Sequence, residues 1–252
     1  MSKVPKILLL QARLESDPMR EHEVNCFYDR TELPRGAIEI FNMTQGVFAH
    51  EKLTDYDAIM VGGSGDFSVV ESGFDWHQDM LDLLSVIARK KLPMFASCFG
   101  FQALVQALGG TLERVPELGE VGTYDVSLTD AGKEDQAFSW FPSTFKAQLG
   151  HLDRVSVLPD ELECLASSER CPVQAIRLKD SPIIATQFHP ELSVGANFER
   201  FVYYIEHYKT PGMSHEEAIE SAKPDYAPSP ECSELLKRYL RDELGFHYPT
   251  AS

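Results

Sequence analysis

The sequence predicts a doubly wound α/β domain with a mainly parallel central sheet and a C-terminal helical appendage. Three observations carry that prediction. Lys6–Leu10 is an unbroken apolar run after Pro5, as expected of a strand buried on both faces. Strand-length apolar runs then alternate with segments of helical period, which implies a parallel sheet covered on both sides. Finally, residues 93–110 read PMFASCFGFQALVQALGG. There a short strand (Met94, Phe95, Ala96) stops at Ser97 and Cys98. Phe101, Leu104, Val105 and Leu108 then recur at helical spacing.

In chain order, Glu21–Tyr28 is a helix candidate, and Ala37–Phe41 (AIEIF) alternates like a second strand. Asp57–Val61 is a third strand and runs directly into Gly62-Gly63-Ser64-Gly65-Asp66. Phe74–Lys90 places Phe74, Met80, Leu81, Leu84 and Ile87 on one helical face. Beyond Gly109-Gly110 shorter strands are expected at Thr111–Val115, Val121–Thr129 and Phe145–Leu149, some antiparallel, around a helical segment at Lys133–Trp140. Leu162–Ala166, Val173–Leu178 and Ile183–Phe188 continue the strands, and Val194–Tyr208 reads as a helix.

The tail differs in kind. Thr210-Pro211-Gly212 breaks the helix, and Ser214 with Glu217 forms a capping-box pattern ahead of a short helix, His215–Lys223. Three prolines make Lys223–Pro230 extended. Ser233–Leu244 is amphipathic, with Leu235, Leu236, Tyr239, Leu240 and Leu244 on its apolar side. The expected organisation is therefore one domain over residues 1–208 with an extension, 209–252, packed on it.

Composition excludes some partners. The 252 residues carry 23 basic against 39 acidic side chains, a net charge of −16, which argues against nucleic acid or an anionic membrane surface. The N-terminal apolar run is too short for a secretory signal, and no stretch reaches membrane-spanning length. Cys26, Cys98, Cys164, Cys171 and Cys232 are scattered and odd in number, without closely spaced metal-ligand pairs. That pattern fits a cytoplasmic protein with no disulfide framework, and neither a metal nor a cofactor is expected.

The chemistry concentrates in three stretches. Small residues around Cys98 permit a tight strand-to-helix turn, and a helix N-terminus beneath the sulfur favours the nucleophilic thiolate. A buried apolar cysteine would fit this stretch alone equally well. In TQFHPEL, residues 186–192, a strand delivers His189 to its C-terminal end. Glu191, two residues on, can then fix the imidazole tautomer and leave the other nitrogen free for a thiol proton. Both motifs fall at the carboxyl ends of strands, where open α/β sheets place their sites. The glycines of residues 62–65 can point backbone N–H groups at a developing oxyanion, with the Phe99 N–H as second donor. This loop lacks the lysine and Ser/Thr of a phosphate loop.

Taken together these residues resemble the class I glutamine amidotransferases of the Cys-His-Glu type. The resemblance rests on Val61–Gly65, Cys98-Phe99-Gly100-Phe101-Gln102, Gly109-Gly110, the segment from Gly150 to Val155 with Leu158-Pro159, and Gln187–Glu191, in family order over roughly residues 5 to 205. The likeness is strongest to standalone chains similar to the amidotransferase part of GMP synthase. It implies a flavodoxin-like fold, Cys98 as nucleophile, His189 as its base and Glu191 as the residue orienting His189. It also implies an oxyanion hole from the N–H groups of Gly63 and Phe99, and substrate contacts from Gly65, Gln102 and the backbone around His151. The implied reaction is hydrolysis of a glutamine side-chain amide through a γ-glutamyl thioester, the ammonia being used by a synthetase or other acceptor subunit or not channelled at all. The alternatives are a γ-glutamyl peptidase or hydrolase acting on a γ-glutamyl conjugate, and a non-catalytic regulator on the same scaffold. Ala96 stands where the family usually has glycine, Ser64 where proline is common, and Gly150 and Leu152 offer only backbone where many members have a polar side chain.

Overall fold

Nine strands share one sheet in the computed structural model, which describes residues 3–71 and 73–249. The first half of the chain supplies β1 (Ile7–Gln11), α1 (Met19–Thr31), β2 (Ile38–Asn42), β3 (Ala58–Val61), α2 (His77–Arg89), β4 (Met94–Ser97) and α3 (Phe99–Ala107). Then follow β5 (Thr111–Arg114), β6 (Glu120–Leu128), α4 (Asp130–Glu134), β7 (Thr144–His151), β8 (Asp153–Val157), β9 (Leu162–Ser167), β10 (Ala175–Leu178) and β11 (Ile183–Thr186). The chain closes with α5 (Val194–Tyr203), α6 (Ile205–Tyr208), α7 (His215–Ala222) and α8 (Pro230–Arg238).

The strand order is β2-β1-β3-β4-β11-β10-β9-β6-β7. The run from β2 to β11 is parallel, and the remaining pairs are antiparallel. The antiparallel excursion thus extends the main sheet, and only β5 and β8 form a separate ribbon. Both faces of the parallel half are covered, as the apolar run at β1 requires. Ile7 and Leu9 enter one core with Phe95, while Leu8 and Leu10 enter the other with Met94 and Ala96.

Some boundaries differ from the sequence reading for identifiable reasons. Helix α2 starts at His77 because Phe74 and Trp76 pack against each other with tilted rings (centroids 4.2 Å apart) and Phe67 lies edge-on to Trp76 at 5.0 Å, holding the preceding loop. The helix expected over Lys133–Trp140 occupies Asp130–Glu134, capped by the Thr129 hydroxyl. The helix expected to run from Val194 to Tyr208 breaks at Tyr204. The Tyr204 hydroxyl donates to Asp17 (2.6 Å) and accepts from Arg13 (2.8 Å), which fixes that residue to the segment that follows β1. Asp153–Val157 adds a strand that hydropathy does not signal, since Asp153, Arg154 and Ser156 interrupt its apolar positions.

The last helix begins at Pro230, with proline in its first turn, and continues through a π-helical turn at Tyr239–Glu243. Cys232, Leu235, Leu236, Tyr239 and Leu240 are buried in the core that contains Ile7 and Phe95, and the Tyr239 hydroxyl donates to the Pro182 carbonyl (2.6 Å). We propose that residues 209–249 are an integral layer of the domain. Leu236→Ala should then cost about 2–5 kcal/mol, read as a lower denaturation midpoint in urea. A chain ending near residue 210 should be insoluble or markedly destabilised at every protein concentration. A truncated monomer with wild-type stability would show that the helix is dispensable to the fold.

Candidate active site

Strand register explains how distant motifs meet. In the parallel pair β4–β11, Ser97 lies opposite Thr186, and in β3–β4, Val61 lies opposite Ala96. The residues that follow each strand therefore leave the sheet side by side: Gly62-Gly63 from β3, Cys98 from β4 and Gln187 to Glu191 from β11. The Cys98 N–H donates to the Thr186 carbonyl (2.8 Å), tying the elbow to the neighbouring strand.

Cys98 has φ 49° and ψ −104°, a strained conformation for a non-glycine residue, and α3 starts at the next residue. The strain sits on Cys98 itself. Ala96, two positions earlier, lies in regular strand with negative φ, so the alanine costs the turn nothing. The Cys98 sulfur receives the Gln187 side-chain amide at 3.7 Å.

His189 is buried, and its Nδ1 donates to Glu191 Oε1 at 2.6 Å. Burial opposes charge on this imidazole, but the Glu191 carboxylate and the Cys98 sulfur outweigh it and hold the histidine pKa up to about 9. Burial likewise opposes the Glu191 charge, yet His189 and Arg200 bring its pKa down to about 2. The pair therefore favours imidazolium and carboxylate together, a state in which the other ring nitrogen carries a proton toward the sulfur side.

The glycine loop is packed against these groups. A Cβ on Gly63 would lie 2.8 Å from His189 Cε1, and one on Gly65 would lie 2.1 Å from the Tyr204 ring, so neither position has room for a side chain. Among the described residues, neither the Gly63 nor the Phe99 N–H donates a hydrogen bond to the chain. Gly65→Ala should therefore reduce activity and stability together, because the loop must shift to clear the ring. Unchanged melting and turnover would contradict this packing.

Gln102 and His151 both border the cleft, but the chain takes up much of their hydrogen-bonding capacity. The Gln102 amide nitrogen donates to the Asp153 carbonyl (3.1 Å) and to Gln187 Oε1 (3.1 Å), leaving its oxygen for a ligand. The His151 ring nitrogens face the Asp153 carbonyl (2.9 Å) and Glu120 Oε2 (3.0 Å), which leaves the backbone at residues 150–153 to line the cleft. Glu120 also accepts from Gln174 (2.6 Å) and Ser168 (2.7 Å). Glu120, His151 and Cys171 form the one group of such side chains, among the described residues, close enough to hold a metal ion. Their polar atoms are already engaged, however, and burial pushes the Cys171 thiol up to about 12. This second Cys-His-Glu trio is a structural hydrogen-bond cluster.

The cleft opens between Ser64–Ser68, Arg114, residues 150–153, His207 and Tyr208. Arg114 pairs with Asp153 (3.0 Å) and Glu71 (3.5 Å) at its edge. The Tyr208 hydroxyl donates to the Gly150 carbonyl (3.3 Å). Sequence reasoning passes over Tyr208, Arg114 and Arg200 because none falls in a motif.

The doubly wound sheet thus has a cysteine elbow and a His-x-Glu turn leaving adjacent strands. The family model for class-I glutamine amidotransferases matches residues 34–203, and the chain belongs to that family. Among curated proteins it is 34% identical over 110 residues to a glutamine-hydrolyzing GMP synthase subunit from Methanocaldococcus jannaschii, covering 44% of this chain and 56% of that one. It is 32% identical over 157 residues to the protein of the same name from Sulfurisphaera tokodaii, covering 62% and 79%. The chain thus spans little more than half the length of the Methanocaldococcus relative. Among solved structures, a glutamine amidotransferase from Thermotoga maritima superposes with TM-score 0.71 at 19% identity, covering 95% of this chain and 98% of that one. One from Methylobacillus flagellatus gives 0.71 at 18%, covering 99% of both. At those identities the structural likeness concerns the fold. None of the described helices is long and apolar enough to cross a membrane.

Proposed function

We propose that the protein hydrolyses the side-chain amide of glutamine through a thioester on Cys98. The observation that carries this reading is the β4–β11 register, which sets the strained Cys98 beside a His189 held by Glu191. The Cys98 thiolate attacks the amide carbon, and the carbonyl electron pair moves onto oxygen. The Gly63 and Phe99 N–H groups supply donors for that oxyanion. The His189 imidazolium gives its proton to the departing nitrogen, the C–N bond breaks, and ammonia leaves. His189, now neutral, takes a proton from water as the water attacks the thioester. Glutamate is released and the thiolate–imidazolium pair returns. No cofactor takes part in these steps.

The similarity to proteins named as glutamine-hydrolyzing GMP synthase subunits supports a further assignment: a synthetase partner that consumes the ammonia. A second reading is favoured by the occupied Gln102 nitrogen and by the charged cleft edge at Asp66, Glu71 and Arg114. These features suit a γ-glutamyl amide whose amine part is larger than ammonia. Assay of the purified chain against glutamine and a series of γ-glutamyl peptides separates the two. Comparable or higher kcat/KM for glutamine supports the first reading. A preference for the peptides of about a hundredfold or more establishes the second. Absence of turnover with every γ-glutamyl amide, with and without a synthetase partner, would refute both.

A further inference from the structure

We propose that Arg200 is a positioning residue for this chemistry, keeping the Glu191 carboxylate charged and turned to His189 by standing between it and a second buried carboxylate, Glu23. The inference rests on the roles assigned above to Cys98, His189 and Glu191. Arg200 is itself buried on α5. Its Nη1 lies 3.5 Å from Glu191 Oε1 and its Nη2 lies 3.7 Å from Glu23 Oε1. It makes a bidentate clamp with neither, and its Nε and Nη2 have no hydrogen-bond partner, nor does Glu191 Oε2. Glu23 is anchored from the other side by Arg13 Nη2 (2.9 Å) and Gln11 Nε2 (2.9 Å). It also packs beneath the glycine loop, where a Cβ on Gly62 would meet its carboxylate at 2.5 Å. One guanidinium thus serves two carboxylates, one of which orients the histidine.

The groups around this cation leave it no substitute. From α1 come Glu23, His22 and Cys26. Burial keeps His22 below its usual range, with Arg200 acting in the same direction, and burial pushes the Cys26 thiol up to about 12. Glu199, on α5 itself, lies at 3.4 Å from His22 and is exposed. Burial also raises the Tyr208 hydroxyl, so it is neutral. Arg13 is taken by Glu23 and Asp17. Without Arg200, Glu23 and Glu191 would face each other in a buried setting, and like charges there are relieved by uptake of a proton. A protonated Glu191 no longer supports the imidazolium, and the thiolate on Cys98 is lost with it.

The test reads the thiolate and not turnover, so it does not depend on which amide is the substrate. The rate of Cys98 alkylation by iodoacetamide is followed against pH on the full chain, with the modified peptide quantified by mass spectrometry. R200M should move the midpoint of thiolate formation upward by about one pH unit or more, roughly tenfold slower alkylation below that midpoint. R200K should restore a profile close to wild type. In an E191Q background, R200M should add little. If R200M fails to fold, R200Q gives the same reading with a polar replacement. A folded R200M or R200Q with a wild-type midpoint would overturn the proposal, as would an equal shift by R200M in E191Q and in the wild type. A wild-type profile that His189→Ala leaves unchanged would instead refute the underlying roles of Cys98 and His189.

Discussion

Cys98→Ala should abolish amide hydrolysis, with a loss of about ten-thousandfold or more, while leaving the protein folded. Among the described residues lining the cleft, Cys98 is the one that carries a thiol, and the nearby hydroxyls of Ser64 and Ser68 are far weaker nucleophiles. Cys98→Ser should be nearly as inactive. A hydroxyl is ionised far less readily than a thiol, and a His189 held as imidazolium is poorly suited to withdraw a proton from an alcohol. Stability is the control. Since Cys98 carries positive φ, alanine relieves no strain there and fills less space, so the melting temperature should move only slightly. Full activity in the alanine variant would end the case for Cys98.

His189→Ala should be almost as damaging, and Glu191→Gln milder, with a loss of roughly ten- to a thousandfold. The two differ because in the proposed steps His189 transfers protons, whereas Glu191 accepts a hydrogen bond from the ring. The pH profile sharpens the distinction. His189 is raised to about 9 against burial, chiefly by Glu191. In the wild type the imidazolium is present below that value, and activity should fall as pH rises through it. In E191Q the raising charge is gone while the burial remains, so the alkaline limb should move to lower pH. An E191Q enzyme with reduced rate but an unmoved alkaline limb would show that Glu191 does not set the charge of His189.

The parallel half of the sheet was legible because its signals are local. A short apolar run with a turn or helical repeat after it recurs at β1, β3 and β4, and each can be read within about twenty residues. The elbow at Cys98 and the His189–Glu191 spacing are local too. Register was not legible. Whether Ser97 lies opposite Thr186 depends on strand order across almost ninety residues, and the family resemblance stood in for it. Side-chain occupancy was also hidden. Gln102 reads as free for a ligand until Asp153 and Gln187 are seen to take its nitrogen. The His151 ring looks free for a ligand until Glu120 is placed against it by the β6–β7 pairing. The break at Tyr204 follows the same logic, since Asp17 and Arg13 lie nearly two hundred residues away in sequence. Arg200 carries no motif at all. Its position matters only because α1 and α5 bring Glu23 and Glu191 to its two sides.

The most direct measurement is mass spectrometry of the intact chain quenched in acid during turnover of glutamine, followed by peptide mapping. The expected result is a γ-glutamyl group on the peptide containing Cys98 and on none containing Cys26, Cys164, Cys171 or Cys232, with the adduct accumulating further when Glu191→Gln slows its hydrolysis. Turnover with no acyl adduct on Cys98, or an adduct on another cysteine, would contradict Cys98 as the nucleophile.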